Sequence, residues 1–260
     1  MSESDSGLSP EPALRDGGRR SLRLVGHKGA DAIVPGNTVA SFAKAVELGV
    51  DTVELDVVWL PDSHLPIEER APLVVAHDWE DAESRPLLAL TEALDAFLEP
   101  PLDRVEIDLD VKLPGREEEL VGALVERELV ERAMISTMEM HTLKRVLELE
   151  PKLRRGWTYP KVTKDWTRRR WAKAPMAAAL VGMRYRLPGL AAEKLPRFGV
   201  AAMWVYHPLV SPRLARICDL AGVELIAWTV DEEMRMRTLV EQGVTGLVSN
   251  DPRLFQRLRA

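Results

Sequence analysis

Glu54 and Asp56 stand two residues apart in TVELDVV (52–58), a run whose other side chains are mostly apolar. In an extended chain, residues two apart share a face, about 6–7 Å from one another. Two like charges so placed repel unless a cation, a proton or a basic side chain lies between them. The same spacing returns in DRVEIDLDVKL (103–113), which puts Asp108, Asp110 and Lys112 on one face. Two histidines sit in comparable settings, His27 with Lys28 in GHKG and His77 with Asp78 in AHD. Trp228 lies in AWTVD, and SND follows at 249–251.

The elements that would carry these residues alternate along the chain. Strands are expected at 22–26, 51–59, 103–113, 133–137, 153–159, 201–207, 223–230 and 245–250, with a shorter one at 72–77. Helices are expected after 37, where Phe42, Ala45, Val46 and Gly49 suit one face, and over 87–98, 115–130, 139–150, 211–221 and 231–242. The stretch 161–199 reads as less regular. Counting 72–77 as an extension beside the second strand leaves eight strands in a repeated βα pattern. That number in one chain of 260 residues predicts a closed α/β TIM (β/α)8 barrel in a single domain over 21–260. In such a barrel chemistry gathers at the C-terminal ends of the strands. Every polar residue named above falls there, a convergence that scattered structural ion pairs would not produce.

Composition narrows the class further. The apolar fraction of 46% suits a substantial core, and the net charge of −6 gives no general attraction to nucleic acid or anionic membranes. One cysteine, Cys218, excludes an intrachain disulfide and suits a reducing, cytoplasmic setting. Residues 1–20 are rich in Ser, Pro, Gly and charge, lack the apolar segment of a secretory signal, and read as a disordered tail.

The segments GHKGADAIVPGNTVASFAKAVELGVDTVELDV, LVVAHD, LDVK and AWTVDEEMRMRTLVEQGVTGLVSNDP, in that order over 22–255, strongly resemble the glycerophosphodiester phosphodiesterase family. The family pattern is His-Arg-Gly, Pro-Glu-Asn-Thr, an Ala-Phe helix ending at Gly, Glu-x-Asp, His-Asp, Glu-x-Lys and Trp-Thr-Val. The resemblance implies a TIM barrel that hydrolyses glycerophosphodiesters to sn-glycerol 3-phosphate and an alcohol with a divalent metal. It implies Glu54, Asp56 and Asp110 as metal ligands and His27 and His77 as the general acid/base pair. Lys28 and Lys112 would contact phosphate, and Trp228 would line the substrate pocket. The chain departs from the pattern in carrying Lys28 for Arg, Gly36 for Glu and Asp110 for Glu, and it lacks the family's Arg-Thr-Thr segment after the His-Asp pair.

The residue types suit that reaction. Three carboxylates with no thiol beside them in sequence make an oxygen site for Mg²⁺ or Ca²⁺, with Mn²⁺ also acceptable. Two groups titrating near neutrality can serve an in-line displacement from its two sides. A second feature is KLRRGWTYPKVTKDWTRRRWAK (152–173), with nine Lys/Arg, one acid, three Trp and a Tyr. It reads either as a solvated basic surface or as a rim contacting an anionic head group or membrane surface, which would favour a lysophospholipase D acting on lysophospholipids. No nucleic-acid-binding module surrounds it. A non-catalytic barrel binding phosphorylated ligands is the rival from another class. His64, His141 and His207 read as surface or structural, and neither the oligomeric state nor the pathway follows from the sequence.

Overall fold

The computed structural model describes residues 21–60, 62, 64–66, 69–161 and 173–259. Eight parallel strands close into a barrel: β1 (Arg23–Gly26), β2 (Thr52–Val58), β4 (Glu106–Val111), β5 (Ala133–Thr137), β6 (Arg154–Tyr159), β7 (Ala202–Tyr206), β8 (Glu224–Trp228) and β9 (Gly246–Ser249). Closure is made by β1, which pairs with β9 on one side and β2 on the other. The short β3 (Val74–Val75) runs antiparallel to the end of β2, so the expected strand at 72–77 survives only as this extension.

The helices are α1 (Val39–Glu47), α2 (Trp79–Glu83), α3 (Leu90–Ala96), α4 (Glu117–Glu126), α5 (Met140–Leu149), α6 (Lys173–Phe198), α7 (Pro212–Leu220), α8 (Glu233–Glu241) and α9 (Arg253–Arg259). Gly49, expected on the face of α1, lies past its end at φ 82°, where the chain turns into β2. Outward strand residues such as Leu55, Leu109 and Val205 pack with Phe42, Leu120 and Leu214 into one continuous core. Among the described residues no helix is long and apolar enough to cross a membrane.

The larger departure is α6, 26 residues within the stretch expected to be irregular. Pro188 and Pro196 lie inside it, and each removes a backbone donor. Leu187, Ala191 and Leu195, spaced by four, bury one stripe against the barrel and hold the helix together. The basic run of 152–173 lies partly outside the described residues, at 162–172, and so does the expected tail at 1–20.

Strand register sorts the barrel interior into layers. At the bottom, Arg23 pairs with Glu224 and Glu106, and Arg154 joins Glu106. Above it, one side is apolar, with Val25, Met134, Ala202, Trp204, Ile226 and Val248 in a separate cluster. On the other side β2 and β4 stand abreast, with Glu54 level with Asp108 and Asp56 level with Asp110. The predicted acid pairs therefore meet on neighbouring strands and face inward.

Candidate active site

A cavity of about 740 Å³ opens at the C-terminal ends of the strands. His27, Glu54, His77, Asp110, Lys112 and Trp228 all line it. Asp56, level with Asp110, is fully buried behind this lining, and Asp108, Ser136, Thr158 and Trp204 also line the cavity. Of the eight residues read from sequence, only Lys28 has its side chain committed elsewhere, its ammonium 2.7 Å from Asp31.

The acidic wall is built from buried charge. Glu54 accepts the backbone N–H of Lys28 at 2.7 Å. Burial and then the neighbouring Asp56 push its pKa well up. Burial also works against ionised Asp56, but the Lys112 ammonium, 2.5 Å away, outweighs it and holds that carboxyl below its usual value. Lys112 also pairs with Asp110, and the two acids raise its own pKa against the effect of burial. Asn37 clasps Asp56 twice, donating its amide to the carboxylate at 2.9 Å and accepting the Asp56 N–H at 3.1 Å. Asp108 receives the Ser136 hydroxyl at 2.7 Å, while burial pushes its pKa well up.

One oxygen each from Glu54, Asp56 and Asp110 can be chosen so that all lie within 4.8 Å of one another. Oxygens on opposite sides of an ion bound at about 2.4 Å are about 4.8 Å apart, so the set can converge on one hard cation. Among the described residues, the Lys112 ammonium pairs with Asp56 and Asp110 but not with Glu54, and Asp56 and Asp110 act against the Glu54 charge, so the wall has room for further positive charge. The residues present fit a divalent ion.

The two histidines are held differently. His27 closes β1, its Nδ1 2.6 Å from Asn250 Oδ1. Asn250 donates its amide to Asp231 at 2.6 Å and its backbone N–H to the same carboxylate at 2.9 Å. Since the NH₂ faces Asp231, the oxygen faces the imidazole and accepts from it. His27 is therefore the Nδ1–H tautomer, with the lone pair of Nε2 turned toward Glu54, 4.0 Å away. Burial lowers its pKa, against the raising effect of Asp56 and the Asn250 hydrogen bond. His77 is 57% exposed at the opposite rim, its Nδ1 2.9 Å from Asp78. Asp78 also caps α2 through the Asp81 N–H at 2.9 Å, and Asp81 accepts the His77 N–H at 2.9 Å. Arg85 fixes the assembly, bonding Asp81, the Val75 carbonyl and the Asn37 carbonyl at 3.0 Å each.

Trp228 forms the aromatic wall with Tyr206, ring centroids 5.6 Å apart, and Trp204 lies below. His207 turns away from the cavity to accept from Arg235 at 3.1 Å. Cys218 is buried in the core, where desolvation pushes its thiol up to about 12.

Residues 27–79 and 92–254 match the model of the glycerophosphoryl diester phosphodiesterase family. The chain belongs to that family. That membership speaks for a phosphodiesterase over the non-catalytic barrel. The glycerophosphodiester phosphodiesterase of Caldanaerobacter subterraneus is 27% identical over 256 residues, covering 88% of this chain and 94% of that protein. That of Bacillus subtilis is 25% identical over 92% of this chain and 86% of its own. Among solved structures, a Parabacteroides distasonis glycerophosphodiester phosphodiesterase superposes with a TM-score of 0.69 at 17% identity, covering 93% and 98% of the two chains. An Oleispira antarctica phosphodiesterase in complex with its product sn-glycerol-3-phosphate gives 0.65 at 19% identity, covering 92% and 98%. These share the family's barrel.

Asn37, Asp81, Arg85, Asp231 and Asn250 were not singled out from sequence. Asn37 and Asn250 sit in the quoted PGNT and SND segments, but their partners are set by the fold. Asp81 and Arg85 occupy the segment where the Arg-Thr-Thr signature is missing.

Proposed function

We propose that this family member hydrolyses glycerophosphodiesters to sn-glycerol 3-phosphate and an alcohol, with a divalent cation held by Glu54, Asp56 and Asp110. The observation that carries the reading is the convergence of those three carboxylates in one cavity between two histidines fixed by different partners. The product bound to the Oleispira relative supports the substrate class. Bound to the triad, Mg²⁺, Ca²⁺ or Mn²⁺ would neutralise a phosphoryl oxygen and lower the barrier to attack.

The chain's own groups do the rest. Lys112, beside the cation that the three acids would hold, takes the phosphate end, and the wall of Trp204, Trp228 and Val248 takes less polar atoms. With Nδ1 committed to Asn250, Nε2 of His27 accepts the proton of the attacking hydroxyl. We assign that hydroxyl to the neighbouring glycerol carbon, so that a new P–O bond forms as the bond to the alcohol breaks. His77, oriented by Asp78, hands a proton to the departing oxygen. Water then opens the cyclic phosphate with the two histidines exchanging roles. Lys28 would reach phosphate only by leaving Asp31.

Release of glycerol 3-phosphate from glycerophosphocholine and glycerophosphoethanolamine tests this, with each cation and with EDTA. Turnover should need the cation, and His27→Ala and Glu54→Gln should each cost at least about 10²-fold in kcat. Cation-independent turnover, or either variant keeping full activity, would overturn it.

A second reading is favoured by α6. Arg184 donates to the Pro208 carbonyl just beyond β7, which puts the middle of α6 level with the catalytic rim. Its preceding turns, about 15 Å of helix, carry Val181, 70% exposed, and the next turn carries Tyr185, 79% exposed. Such a projection suits a lipid surface and a lysophospholipid substrate. Lysophosphatidylcholine turned over faster than glycerophosphocholine would select it.

A further inference from the structure

The loop between β1 and α1 carries an ion pair, Lys28 with Asp31, whose acid does not stand where the family pattern has one. That pattern has an acid at the position of Gly36, and this chain has none there. The acid is instead Asp31. One of its oxygens meets the Lys28 ammonium at 2.7 Å, and the other accepts the Gly36 N–H at 2.9 Å. Gly36 is not among the glycines of positive φ, so it is needed for room rather than for conformation. A Cβ there would lie 2.4 Å from Asp31 Oδ1 and 2.8 Å from the Cβ of Lys28. A side chain at 36 would therefore have to displace the Asp31 carboxylate from its present place, and it would press on Lys28 as well.

We propose that Asp31 is a positioning residue of this active site, taking over the carboxylate role of position 36, and that Gly36 is what admits it. The proposal rests on the phosphodiesterase reading above. The backbone on either side of the tie explains the effect. Lys28, at φ 51°, aims its N–H at Glu54, and its carbonyl accepts from the Asn37 N–H and the Ser41 hydroxyl at 3.0 Å each. Asn37, adjoining Gly36 at φ 55°, clasps Asp56. Asp31 thus spans the two points from which the loop orients two of the three acids, and it gives the Lys28 ammonium a partner outside the acid cluster.

The test compares wild type with Asp31→Ala, Asp31→Asn, Gly36→Glu and the double variant Asp31→Ala/Gly36→Glu. Activity on glycerophosphocholine and urea midpoints are measured on all five. Either change at Asp31 should lower kcat about tenfold with KM changed less than about threefold, because the loss is of orientation rather than of substrate contact. Gly36→Glu alone should lower both kcat and the midpoint. The double variant should exceed Gly36→Glu in both and recover most of the kcat lost in Asp31→Ala, since the carboxylate returns from position 36. Should Asp31→Ala not fold, the isosteric Asp31→Asn carries the kcat comparison. A kcat within about twofold of wild type in the Asp31 variants, or a double variant no better than the poorer single, would overturn the proposal. If wild type turned over no glycerophosphodiester, the phosphodiesterase reading would fail by itself. The midpoints would then decide: non-additive recovery in the double variant supports the exchange of acids, and additive losses overturn it.

Discussion

Asn250 and His27 are separated by 223 positions, yet the amide of one sets the proton position of the other. Replacing Asn250 by Leu keeps the volume and removes the acceptor at Nδ1. Both tautomers of His27 then become accessible, and only one presents a lone pair toward Glu54. The expected outcome is a kcat lower by about ten- to a hundredfold with KM little changed. Nitrogen-15 spectra should show the wild-type ring protonated at Nδ1 and the variant as a mixture. An unchanged kcat would mean that His27 is oriented by something else. The acids and Lys112 at the cavity were legible in the sequence because strand alternation puts them on one face. Residues that orient them were not, since Asn37, Asp231 and Asn250 carry no pattern of their own until closure of the barrel brings β1, β2 and β9 together.

Among the elements, β6 shows how a strand is shaped for the site. A Cβ on Gly156 would lie 2.4 Å from Nε1 of Trp204 and 3.3 Å from the sulfur of Met134. Glycine there lets the Trp204 indole lie across the neighbouring strand and form the cavity floor. Gly156→Ala should cost about 1–3 kcal/mol by overpacking, measured by urea unfolding, and should raise KM by pushing the indole into the cavity. A variant equal to wild type in both would show that the floor is soft. The same scale explains what alternation revealed and what it missed. Strands such as β5, Ala133–Thr137, were plain because their buried residues are short apolar runs between helical segments. By contrast, α6 was hidden because two prolines and a weak apolar stripe look like loop until the barrel surface supplies a partner for Leu187, Ala191 and Leu195.

At the scale of the whole barrel, the end opposite the cavity is closed by ions where branched apolar side chains are usual. Arg23 holds Glu224 through two bonds of 2.8 and 3.0 Å and also pairs with Glu106, while Arg154 meets Glu106 at 3.1 Å. Burial would raise the pKa of Glu106, but the guanidiniums of Arg23 and Arg154 outweigh it and hold the carboxyl below the ordinary 4.5. A depressed carboxyl gives stability that is complete above its unfolded value and is lost as pH falls through the folded one. Unfolding free energy, measured in EDTA, should therefore drop below about pH 4.5 with a slope of up to ~1.4 kcal/mol per pH unit from this one group. Solvent reaches 35% of the Glu106 side chain, which keeps its whole contribution on the order of 1 kcal/mol. Glu106→Gln should be less stable than wild type at pH 7 and should lose less on going to pH 3. The two curves should converge as Glu106 titrates, leaving Asp56 and the remaining depressed carboxyls to set the acid limb. Parallel curves for the two proteins would show that the ion layer closes the barrel without contributing to its acid sensitivity.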